Sequence, residues 1–126
     1  MKHTNNLDIC CPPRLVLDRI GDKWSVLIVL NLSDGPKRFS ELRETLHHVT
    51  PKVLTHTLRG MERDGLLTRT VFAEVPPRVE YELTQLGHSL RPVMEPINAW
   101  AAEHVDEVLS LRKAHDAQLA DEPAAH

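Results

Sequence analysis

Residues 50 to 84 constrain the fold more than any other stretch of the chain. Thr50-Pro51 is a helix start, because a threonine hydroxyl can accept a bond from an orphan N–H of the first turn and proline at the first helical position forfeits no hydrogen bond. At about 100° per residue, Leu54, Leu58 and Met61 fall on one side of the helix that follows, while Lys52, His56, Arg59 and Arg63 cluster almost opposite, with Thr55 on the flank. One face is built to pack and the other is left free. Asp64-Gly65 closes the helix. Two runs rich in β-branched and aromatic residues come next, Leu66 to Phe72 and Arg78 to Leu83, and the second alternates, with Val79, Tyr81 and Leu83 inward and Arg78, Glu80 and Glu82 outward. The tip, Ala73 to Pro77, holds two prolines that stiffen it and cannot join a ladder, so the hairpin is expected to project rather than add strands. A capped helix with a free polar stripe, followed by a projecting arm, has the layout of a recognition helix and a wing.

The flanking segments supply a scaffold for that unit. Pro12 and Pro13 suit the first turn of a short helix to Ile20, which Gly21 stops. Asp22 is placed to cap a mostly apolar helix running to Leu32, ended by Gly35-Pro36. Phe39, Leu42 and Leu46 predict an amphipathic helix from Phe39 to His47 with Ser40 as its cap. The few residues around His48 and Val49 then form the turn of a helix-turn-helix. Thr84 caps a long last helix in which Leu86, Leu90, Val93, Ile97, Trp100, His104, Val108 and Leu111 recur at intervals of three or four residues. Pro92 and Pro96 predict a kink or break in it. The expected organisation is a single mainly α domain with a small β-hairpin (α+β). It comprises a winged helix-turn-helix core over 12–84, a dimerisation helix over 85–112 kinked near Pro92 and Pro96, and a flexible tail over 113–126.

Net charge is −3, a poor match for a nucleic-acid binder until the chain is divided. Residues 14 to 81 carry eleven Lys and Arg against nine Asp and Glu, whereas residues 82 to 126 carry three against eight. With a Debye length of about 8 Å at physiological salt, a locally positive face can bind phosphate under an acidic total. No apolar run reaches a membrane span of roughly 18 residues, and Met1 to Asn6 lack a signal-peptide apolar region, which predicts a soluble, cytoplasmic chain. The adjacent Cys10 and Cys11 cannot build a disulfide framework and argue for a reducing compartment.

Catalysis and metal binding find no support in the residue pattern. There is no nucleophile elbow, phosphate-cradling glycine loop or clustered acid pair. His47, His48, His56 and His104 lack any C-x-x-C or H-x-x-x-H partner spacing, so no metal, cofactor or enzymatic activity is expected.

Taken in order, Cys11-Pro12, Ile20-Gly21-Asp22-Lys23-Trp24, Gly35-Pro36-Lys37-Arg38-Phe39-Ser40-Glu41-Leu42, Lys52-Val53-Leu54-Thr55, Leu58-Arg59 and Val75-Pro76-Pro77-Arg78-Val79-Glu80-Tyr81-Glu82-Leu83-Thr84 resemble the HxlR-type bacterial transcription regulators. The similarity spans about residues 11 to 100 and ends in Gly87, Leu90, Pro92-Val93 and Trp100. It implies a winged helix-turn-helix fold related to the MarR group and a homodimer held by N- and C-terminal helices. It also implies binding to palindromic promoter DNA and, in some members, a response to oxidants or electrophiles through a cysteine near the N-terminus. Asp22 stands where the family often has a second glycine; Cys10 and the stretch after Leu111 lie outside the shared pattern.

With that resemblance, the polar stripe is more than a solvated helix face. Thr50, Pro51, Lys52, Thr55, His56 and Arg59 are expected nearest the major groove of double-stranded DNA, where Arg59 suits guanine O6 and N7 and Thr55 a base edge or thymine methyl. Lys37, Arg38 and Ser40, at the start of the third helix, suit phosphate oxygens. Arg78 is placed either for the minor groove or backbone, or for pairing with Glu74 or Glu80. Cys11, directly before Pro12 at a helix N-terminus, is the redox-sensing candidate, since the helix dipole favours its thiolate; the competing reading is a small buried hydrophobe. A disulfide between adjacent cysteines is strained, which leaves a bridge to a partner subunit as the oxidised product if the two N-terminal helices meet. Two alternatives to a cysteine switch stay open: a small-molecule effector near Trp24, Met94 and Trp100, and a winged helix used as a protein-interaction module.

Overall fold

Three helix starts are fixed by single side chains. Asp22 accepts a bond from the Trp24 N–H (3.0 Å), Thr50 Oγ1 from the Val53 N–H (3.2 Å) and Thr84 Oγ1 from the Gly87 N–H (3.1 Å). All three capping residues have extended backbones, so each satisfies a first-turn donor without joining its helix. The computed structural model describes residues 12–121. In chain order the elements are α1 (Pro12–Ile20), α2 (Lys23–Leu32), β1 (Lys37–Arg38), α3 (Phe39–Thr45), α4 (Pro51–Arg63), β2 (Leu67–Phe72), β3 (Arg78–Leu83), α5 (Gln85–His88) and α6 (Arg91–Asp121). The chain divides after Met94 into two units. The fold class is the expected one, mainly helical with a small antiparallel sheet.

In the first unit the core is continuous. Ile28, Val29 and Leu32 from α2 meet Leu42 of α3, Leu54, Leu58 and Met61 of α4, Leu67 of β2, and Tyr81 and Leu83 of β3. Leu46 and Val49, in the α3–α4 turn, Leu66 and Met94 complete it. Burying each of these side chains stabilises the fold by about 1.5–3 kcal/mol. The apolar side of α4 is wider than the leucine pattern predicts, because Thr57 is also buried. Trp24 and Phe39 pack against the core from its edge.

The sheet differs from the expected lone hairpin. Strand order is β1-β3-β2, all antiparallel, with Lys37 opposite Tyr81 and Arg38 opposite Glu80 on one edge of β3, and Leu67 opposite Leu83 through to Phe72 opposite Arg78 on the other. The hairpin does accept a third strand. Its prolines block pairing only at the tip, whereas β1 docks at the β3 stretch beyond them. This pairing also moves the start of α3. Arg38 is held extended (φ −78°, ψ 157°) and becomes the N-cap, its N–H donating to Glu41 Oε1 (2.7 Å), so Ser40 lies inside the first turn and is not the cap. The helix ends at Thr45, and His47 and His48 belong to the turn.

Two glycines are dictated by geometry. Gly65 has φ +79°, a left-handed turn that lets the chain leave α4 for β2. At Gly87 a Cβ would collide with the Leu66 carbonyl oxygen. That close approach is closed by Thr84, whose hydroxyl donates to the Gly65 carbonyl (2.6 Å) and whose N–H donates to the Leu66 carbonyl (3.0 Å).

The long last helix expected from Thr84 is instead two. The cap at Thr84 opens only the short α5, and α6 starts at Arg91. Pro92 lacks the N–H that would bond the carbonyl of residue 88, which favours a break before it, whereas proline in the first turn of a new helix costs nothing. Pro96 lies inside α6 without ending it. Helix also continues through Asp121, so the segment expected as a tail from 113 is helical over 113–121. Its Lys, Ala, Gln and Leu residues are good helix formers. In the second unit, from Glu95 on, Ile97, Trp100, Val105, Leu109, Leu111 and Leu119 are all exposed. Trp100 stacks on His104 (centroids 4.4 Å apart), and His104 Nδ1 lies 2.9 Å from the Trp100 carbonyl oxygen.

Candidate nucleic-acid interface

The face of α4 turned away from the core is the polar stripe anticipated from the wheel. Thr50, Pro51, Lys52, His56, Arg59 and Arg63 are exposed and Thr55 is half-buried. Among the described residues none of Lys52, His56 or Arg59 is engaged in an ion pair. Leu54, Thr57, Leu58 and Met61 fix the rotation of the helix from the opposite side, so the outward residues are presented on a rigid element. Sequence reasoning passed over Val53, an apolar residue of the first turn that is 40% exposed. It lies about 60° around the helix from His56 and extends the stripe with a surface suited to a thymine methyl. Its exposure was hidden because periodicity assigns apolar residues to the core by default.

The start of α3 contributes a second group. Arg38 and Ser40 are exposed and Lys37 is half-buried. Arg38 and Ser40, with Phe39, form one wall of a cavity of about 470 Å³ whose other wall is the loop from Glu74 to Val79. The start of α3 and the wing tip therefore border a common space.

Arg78 is held by its neighbours. Its guanidinium is 3.2 Å from Glu74 and 3.4 Å from Glu80, and it lies 4.1 Å above the Phe72 ring. Both pairings anticipated as alternatives to DNA contact are thus present at once. A contrasting cation on the hairpin is Arg69, exposed and outside these ion pairs. Arg19 of α1 crosses α4 at Gly60 and bonds Asp64, the C-cap of α4, at 2.7 Å. Cys11 lies outside the described residues.

Of the residues weighed for a small-molecule effector, Met94 is 2% exposed in the first unit's core, Trp24 is packed on that core, and Trp100, in the second unit, is 57% exposed. Among the described residues no group of three or more His, Cys, Asp or Glu is placed to hold a metal ion. No helix among them is long and apolar enough to cross a membrane.

A helix-turn-helix beside a winged sheet is an arrangement shared with known proteins. Residues 19–109 match the HxlR-like helix-turn-helix family. The chain belongs to that family. The HTH-type transcriptional regulator YdeP of Bacillus subtilis (strain 168), described as uncharacterized, is 41% identical over 108 residues, covering 86% of this chain and 84% of YdeP. Among solved structures, ytfH from Salmonella typhimurium, described as a transcriptional regulator, is 37% identical with a TM-score of 0.79, covering 88% of this chain and 99% of that one. The redox regulator HypR in its oxidized form is 40% identical with a TM-score of 0.68, covering 74% and 96%. As an HxlR-like protein, the chain is a helix-turn-helix transcriptional regulator, and the family implies DNA binding.

Proposed function

We propose that this HxlR-like regulator acts in the cytoplasm as a homodimer on a pseudo-palindromic promoter site. The observation that carries the reading is the α4 stripe, whose Lys52, His56 and Arg59 stand exposed and unpaired while Arg19 and Arg78 are taken up by carboxylates. Thr50, Pro51, Lys52, Thr55, His56 and Arg59 enter the major groove, with Val53 against a thymine methyl, and Lys37, Arg38 and Ser40 hold phosphates. Two copies put two α4 helices about 34 Å apart, one turn of duplex. The exposed apolar residues of α6, Ile97, Trp100, Val105, Leu109 and Leu111, supply the surface for pairing. A gel shift with DNA from upstream of its own gene tests this: binding should fall about 10³-fold or more between 50 and 200 mM salt and exceed that of a scrambled duplex. Equal affinity for the scrambled duplex ends the proposal.

For the signal, we propose oxidation or alkylation at Cys11, supported by the likeness to HypR, a redox regulator. Diamide should change DNA affinity in the wild type and leave Cys11→Ser unaffected. A second reading is favoured by a cavity of about 510 Å³ lined by Leu15, Val16, Arg19, Ile20, Asp64, Leu66, Leu86, Ser89 and Leu90, which suits a small apolar effector. If Cys11→Ser still responds to the inducing compound, this cavity is the site to examine by Leu86→Arg.

A further inference from the structure

The loop joining β2 to β3 presents no free positive charge. The arginine at its base, Arg78, has a side chain only 28% exposed, stacked over Phe72 and set between Glu74 and Glu80. With both carboxylates on its guanidinium, Arg78 is not free to meet a phosphate oxygen. What the tip does offer is apolar. Val75 is 101% exposed, and Ala73, Pro76 and Pro77 around it are exposed as well. A β-branched side chain standing wholly in water contributes nothing to burial. The tip also borders the cavity whose facing wall is Arg38 and Ser40, the residues proposed to hold phosphates, so a duplex seated there runs beside it.

We propose that the wing engages DNA through Val75 and Pro76 as an apolar wedge in the minor groove, and that Arg78 is a positioning residue that shapes the tip through Phe72, Glu74 and Glu80. This rests on the DNA-binding reading above and adds to it the groove and the contacting residues. Apolar side chains insert between base steps, at least cost where the steps are the flexible TA or CA. The wing therefore selects deformable steps flanking the bases that α4 reads.

The test uses the full chain and a duplex selected by it from a random-sequence pool. Val75→Ser should lower affinity for that duplex about tenfold, leave affinity for scrambled DNA and the salt slope unchanged, and abolish the fluorescence rise of 2-aminopurine placed in the flank. Its urea midpoint should equal that of the wild type. Arg78→Gln and Arg78→Lys should weaken binding equally at the wild-type salt slope, because lysine cannot reproduce the stacked, forked guanidinium. The wedge is overturned if Val75→Ser binds as tightly as the wild type. It is equally overturned if Arg78→Lys restores binding while Arg78→Gln reduces the salt slope by about one, the mark of a phosphate contact. Failure of the wild type to select any duplex removes the DNA-binding reading as well.

Discussion

At the scale of single residues, charge alone does not distinguish the arginines of this chain; their partners do. Arg59 and Arg78 look alike in the sequence, yet Arg59 stands in solvent on α4 while Arg78 is stacked on Phe72 and paired twice. Arg59→Ala should relax base discrimination and cost about 1–3 kcal/mol of specific binding, whereas Lys37→Ala should weaken binding to all duplexes alike and lower the salt slope by about one. Binding-site selection with each variant checks this, and identical specificity profiles would refute the division between reading and anchoring. Gly87 is a residue whose role is invisible without the fold. A methyl group there meets the Leu66 carbonyl, so Gly87→Ala should destabilise the protein by about 1–3 kcal/mol in urea denaturation, although alanine is the better helix former.

At the scale of elements, what was legible in the sequence was whatever short-range chemistry decides. Asp22, Thr50 and Thr84 do cap helices, because a cap needs only an N–H two or three residues away. The apolar side of α4 and the alternation of β3 follow from periodicity in the same way. Thr50→Ala should therefore cost about 0.5–2 kcal/mol of stability while Thr50→Asn, an equally good cap, retains it; thermal or urea unfolding of the pair measures the difference. β1 was not legible. Two residues, Lys37-Arg38, carry no periodic signal and become a strand only because the edge of β3 is there to pair with them. The shift of the α3 cap from Ser40 to Arg38 is a consequence of that pairing. Thr57 was missed for a related reason: its burial is set by neighbours from other elements and not by its own polarity.

At the scale of the whole molecule, the two units differ in how they treat apolar residues. The first buries Leu54, Leu58, Ile28 and their neighbours completely, while the second leaves Ile97, Trp100, Leu109 and Leu111 exposed along one helix. Under the proposed homodimer these exposed residues become interface, so Trp100→Ala combined with Ile97→Asp should yield monomers in sedimentation and reduce operator affinity by tenfold or more, since one α4 then reads alone. A dimer that survives both changes would place the interface elsewhere. The amino-acid sequence by itself determined the helix starts at Asp22, Thr50 and Thr84, the free stripe on α4, the hairpin and the family resemblance, because each depends on neighbours within a few positions or on the order of short motifs. Tertiary structure alone decided that Arg19 is taken up, meeting Asp64 from 45 residues away, and that both anticipated partners of Arg78 close on it at once beside Phe72 when β2 and β3 pair. An ion pair formed across a fold depends on which chains are brought within about 4 Å, and no local pattern encodes that distance.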